Sequence, residues 1–249
     1  MLNRAPFVKL ARAPGRVSGF SLVEMLIALA VGLVVVSGVI GIYVSTLKSN
    51  SDNLNMLRLN QELRAAMDMM VRDIRRAGFR GDGTTAPMPI NPGTFNPFAS
   101  KGTTNNLAVR SVGPGLANDC ITFTYDATAL DPTPTGVGGV DDNDKFAYWR
   151  DIDVTTGTGV IRARNGGSES ADSCSPAAKQ PITNPRHVNI TALTFTIVSY
   201  SVIVNGVSGI DRIIRYVTIS VTGELVSDLS VVRTLTESVR VQSDTYGFS

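Results

Sequence analysis

The chain has 249 residues, 43% of them hydrophobic and 18% charged, enough apolar material for a packed core and room for one ordinary domain. A net charge of +2 excludes a strongly basic nucleic-acid binder, and one His with two Cys excludes a four-ligand Cys/His metal site. The charge is unevenly spread: Arg4, Lys9, Arg12 and Arg16 stand in residues 1–19 without an acid, whereas the rest of the chain is weakly acidic.

Met25 to Leu47 is an unbroken run without charge, about 34 Å long as a helix against a hydrocarbon core of about 30 Å. The basic flank before it predicts that residues 1–19 stay in the cytoplasm and that everything after Lys48 crosses to the far side. Three processing fates compete. A secretory signal would be cut near Ser37-Gly38, but this run exceeds the usual apolar length of such signals. Lipid attachment needs a Cys just after the run, and the cysteines are Cys120 and Cys174. The remaining fate is cleavage before the run, between Gly19 and Phe20.

Gly19-Phe20-Ser21-Leu22-Val23-Glu24-Met25-Leu26-Ile27-Ala28-Leu29 closely resembles the leader signature of the type IV pilin superfamily. The resemblance implies that a prepilin peptidase cuts after Gly19 and methylates the new amino terminus at Phe20. It implies an assembly role for Glu24, the acid at the fifth mature position. Physics singles out the same residue: a charged acid at mid-membrane costs about 2.5–3.5 kcal/mol, so it calls for a partner. The α-amine of Phe20, about one helical turn away, is one partner; the amine of a neighbouring subunit is the other that the resemblance implies.

The absence of proline from 15 to 86 predicts one helix over 20–77, about 87 Å long. Met56, Leu59, Leu63, Met67, Met70 and Ile74 recur at helical spacing and predict a stripe that packs on a head. Gly32, Gly38 and Gly41 permit close approach between membrane helices. Basic Arg72, Arg75 and Arg76 suit the helix end, with Gly78 as its stop. The segment 73–79, DIRRAGF, is similar to the end of this helix in minor pilins of the PilW kind.

From 78 to 118 the chain is rich in Gly, Pro, Asn and Thr and predicts little beyond a strand near 107–112. Alternating runs at 121–125, 145–150, 160–164, 190–204, 212–222 and 230–241 predict strands, with Asn205-Gly206 as a hairpin turn. The expected fold is therefore α+β and type IV pilin-like, a long helix laid on an antiparallel sheet. Its divisions are a leader 1–19, a transmembrane or filament-core helix 20–47, an amphipathic continuation 48–78 and a β-rich periplasmic head 79–249. In an oxidising compartment Cys120 and Cys174 should form a disulfide that closes a loop of about 54 residues and contributes about 4 kcal/mol.

Catalytic patterns are scarce. His187 has no nucleophile elbow to serve, and no phosphate-binding loop or dinucleotide fingerprint occurs, so neither an enzyme nor a cofactor is expected. Asp141, Asp142 and Asp144 are a weak cation candidate without EF-hand spacing. The resemblance implies a minor pilin that enters the type IV pilus and primes its assembly, stored in the inner membrane and then displayed at the cell surface. Its implied partners are prepilin peptidase, other minor and major pilins and the inner-membrane assembly platform with its ATPase. A minor pseudopilin of type II secretion and a tip adhesin are the alternatives. No nucleic-acid partner is expected.

Overall fold

The computed structural model describes residues 19–79, 107–112, 117–126, 140–168, 173–174, 181–203 and 210–248. Its first element, α1, runs Leu22–Arg75 in one piece. Ser21 caps it: its carbonyl accepts the first helical bond from Met25 N (3.1 Å), and its Oγ accepts from Val23 N (3.3 Å). Within the apolar half, Ser37 and Thr46 donate their hydroxyls to the carbonyls of Val34 (2.8 Å) and Ile42 (2.9 Å). Each thereby hides a donor that hydrocarbon could not satisfy.

Two compact units divide the chain, one up to Asp52 and one from Asn53. In the first, every described side chain is exposed, Phe20, Leu22, Leu26, Leu33 and Ile42 among them. In the second, Leu59, Leu63, Ala66, Met67, Met70, Val71, Ile74 and Ala77 are buried. The stripe expected from spacing is present, except that Met56 at its start is only half-buried.

The helix ends because Gly78 adopts φ 80°, a conformation that strains any residue with a Cβ, and turns the chain away. The exit is stitched to the head. Gly78 N donates to Thr124 O (2.8 Å), Asp126 N to Phe79 O (2.9 Å), and Gln242 N to the helical carbonyl of Arg75 (3.0 Å).

The antiparallel head is distributed over two sheets. The first is a meander of β1 (Ala108–Arg110), β2 (Cys120–Thr124), β3 (Lys145–Ile152) and β4 (Gly159–Asn165), in that order. The second contains β5 (Val188–Ile203), β6 (Ile210–Leu225) and β7 (Val232–Arg240) in order, and β8 (Thr245–Phe248) pairs with β6 at 210–213. Six of these strands overlap the alternating runs, and β1 falls inside 107–112. β8, four residues long, gave no alternation that would reveal it. The Asn205-Gly206 turn lies outside the described residues.

Two devices keep the sheets separate. The free edge of β4 is taken by a bridge from Pro181 and by Ile182 N donating to Ile161 O (2.8 Å). On β5, the outward carbonyl of Ile190 accepts from Arg150 Nε (2.7 Å). Gly159 lies so close to Ile190 O that a side chain there would collide with backbone. One apolar cluster nevertheless joins Met70 and Ile74 to Phe123, Tyr148 and Ile161 of the first sheet and to Phe195, Val217 and Val239 of the second. Where β6 pairs with β7, the outer face of the second sheet is polar, with hydroxyl pairs Thr218–Ser238, Ser220–Thr236 and Thr222–Thr234 at 2.8–3.1 Å.

Candidate functional site

Residues Gly19 to Gly32 form the site on which the sequence argument rests. Gly19 precedes α1 and is exposed, and a side chain added there would meet no described atom within 4 Å. Phe20 is 80% exposed. With Ser21 as cap, Glu24 is the third helical residue, where a carboxylate meets the positive end of the helix dipole. Glu24 shares one helix face with Ile27, Ala28, Val31 and Gly32, an apolar strip with one acid at its start. The role of Ser21 was missed in the sequence, although Ser21 three residues before Glu24 has the spacing of a capping box. The described helix is long and apolar enough to cross a membrane.

A second constellation ties the amphipathic half of α1 to the head. Tyr148, buried on β3, donates its hydroxyl to Asp73 Oδ2 at 2.5 Å. Burial, then the hydrogen bond to Asp73 and its charge, push the Tyr148 phenol far up. Burial likewise raises Tyr125 to about 12, aided by Asp73 and opposed by Arg76, whose guanidinium lies 4.3 Å from the ring centroid. Glu62 Oε2 accepts from Asn184 N (3.1 Å) as a further tie. In the sequence Asp73 stands only as the first residue of the helix-end segment 73–79; half-burial and a partner 75 residues away cannot be seen from spacing.

Cys120 and Cys174 are joined by a disulfide, with Cα atoms 6.4 Å apart. The bond packs with Trp149, Ala147 and Val112 in a small cluster of its own.

The other sequence candidates serve turns. Asp142–Asp144 form a single 3-10 turn in which Asp144 Oδ2 accepts from Asp141 N (2.9 Å) and Asp142 pairs with Lys145 Nζ (2.8 Å). Among the described residues no group of three or more His, Cys, Asp or Glu is placed to hold a metal ion. His187 is exposed, and its backbone closes the turn before β5 through Asn184 O (3.1 Å).

An exposed apolar N-terminal helix with one acid in its first turn, and an antiparallel head backed by that helix's second half, define a type IV pilin-like protein. The profile of the prokaryotic N-terminal methylation motif matches residues 15–40, which include Gly19, Phe20 and Glu24. The profile described as PpdB, prepilin peptidase-dependent protein B, matches residues 52–241, well over half of the chain, and the chain belongs to this family. No curated protein and no solved structure matches it. Proteins of these families are structural and non-enzymatic, and the family description together with the motif indicates dependence on prepilin peptidase.

Proposed function

We propose that the chain is a minor pilin of the PilW kind, cut after Gly19, methylated at Phe20 and incorporated into the type IV pilus, where it helps to prime assembly. The observation that carries this reading is the Gly19-Phe20 boundary one turn ahead of Glu24, on a helix whose apolar side chains are all exposed up to Leu54. Such a surface needs lipid or other helices around it.

In this reading residues 1–19 are the cytoplasmic leader, 20–47 the membrane and filament-core helix, 48–78 its amphipathic continuation and 79–249 the periplasmic head. The helix stores the subunit in the inner membrane. Cleavage exposes the α-amine of Phe20, and Glu24 neutralises the corresponding amine of a neighbouring subunit when helices bundle. In a bundle of low dielectric the uncompensated carboxylate is costly, so matched pairing selects one axial offset between neighbours. Extraction from the membrane falls to the assembly platform and its ATPase, because the chain carries no nucleotide-binding loop of its own.

Deleting the gene and scoring surface pili, with retraction disabled in parallel, tests the priming role. Few pili in the deletion and restored pili when retraction is also absent support it. Unchanged piliation in the deletion alone contradicts it.

A further inference from the structure

Among the described residues, no strand pairs with the outer end of β5. Phe195 N donates to Asn118 O (2.9 Å), outside β6, so the backbone groups of Phe195 face away from β6. The period of two then turns those of Ile197, Ser199, Ser201 and Ile203 the same way. Among the described residues none donates to or accepts from these outward groups.

This edge lacks the usual protection. Proteins blunt exposed edges with charge, proline or bulges, and β7, at the opposite side of the sheet, carries Arg233, Glu237 and Arg240. From Ile197 to Ile203 there is no Lys, Arg, Asp, Glu, Pro or Gly. Val198, Tyr200 and Val202 share the outer face and are 40%, 57% and 48% exposed. Tyr216 and Ile214 of β6 stand opposite Val198 and Tyr200 and extend the apolar patch.

The same segment reads identically in both directions: Ile197-Val198-Ser199-Tyr200-Ser201-Val202-Ile203. Two copies laid antiparallel about Tyr200 bring Ile197 opposite Ile203, Val198 opposite Val202, and Ser199 opposite Ser201. Every outward backbone group then meets an outward group, which allows about eight N–H···O bonds. Val198, Tyr200 and Val202 of both copies come to one face, and no like charges oppose each other because the segment carries none. We propose that this edge is a self-complementary interface, whose occupant is the β5 edge of a second copy of this chain. Register, face and charge all select that partner, and the pairing does not depend on the filament reading.

Cysteine cross-linking of the purified full chain in detergent tests the register. Tyr200 would lie opposite its own copy at a non-hydrogen-bonded position with Cα atoms about 4.5 Å apart, within disulfide reach. Val198 would lie opposite Val202 but about 13 Å from the other Val198. Tyr200→Cys should therefore form a linked dimer under mild oxidation. Val198→Cys and Val202→Cys should form one when mixed and not separately. Ser199→Pro removes an outward donor while leaving the β6 ladder whole, and should halve the mass of the uncross-linked species. The proposal is overturned if Tyr200→Cys stays monomeric, if the single valine variants link as readily as Tyr200→Cys, or if Ser199→Pro leaves the dimer unchanged. It is also overturned if oxidation in cells links Tyr200→Cys to a different protein in place of its own copy.

Discussion

Asp73 and Tyr148 illustrate how a single side-chain pair fixes a helix on a sheet. The phenol cannot ionise without placing a second negative charge beside Asp73 in a buried setting, so the pair works only with Tyr148 protonated. Tyr148→Phe should cost about 1–3 kcal/mol in unfolding free energy, because the half-buried carboxylate loses its donor. Combining it with Asp73→Asn should cost less than the sum of the two; strict additivity in denaturant titrations would show that the bond contributes nothing. The pH dependence follows from sign. A phenol with a raised folded-state pKa keeps its proton longer when folded than when unfolded. Its contribution is intact below the ordinary value of about 10 and is lost as pH climbs toward about 12, the folded value of Tyr125. Melting temperature should fall over that window, and Tyr125→Phe should flatten the fall. None of this pairing was legible in the sequence, since Asp73 and Tyr148 each fit a blander pattern locally. Glu24 stood out for the opposite reason, as the lone acid ahead of the uncharged run Met25 to Leu47.

At the scale of elements, α1 was the clearest feature of the sequence, and the reason is physical. Absence of proline, uninterrupted apolar residues and then a helical-spacing stripe all agree over its whole length. The buried stripe makes a direct prediction. Met70→Ala and Leu63→Ala should each destabilise the head by about 2–5 kcal/mol in chemical denaturation, whereas Met69→Ala, on an exposed face, should cost well under 1 kcal/mol. Equal costs at Met69 and Met70 would contradict the packing. The strands were legible by alternation, yet their division into two sheets was not. That division rests on Pro181, Arg150 and Gly159 interrupting an edge, long-range contacts that no period encodes. β8 is held from outside itself: Asp244, just before it, accepts from Arg212 Nε at 2.7 Å and from Arg240 at 3.3 Å.

For the whole molecule, the disulfide bears on the stability of the head and the apolar helix on the proposed function. Cys120–Cys174 crosslinks the first sheet to a segment 54 residues on, so its loss should lower head stability by about 4 kcal/mol. Cys120→Ser with Cys174→Ser tests this by thermal unfolding, and non-reducing mass analysis of the native chain should find two hydrogens fewer than the dithiol. Among the described residues, every side chain of the helix up to Asp52 is exposed, a surface that lipid or other helices would cover in the proposed function. In the proposed function, Phe20 can supply an amine to Glu24 only after residues 1–19 are removed. The most direct test is mass spectrometry of the amino terminus of this protein recovered from sheared, purified pili. A mature chain beginning at N-methylated Phe20 is the expected result. A chain recovered with residues 1–19 still attached, or pili that lack the protein altogether, would contradict the account.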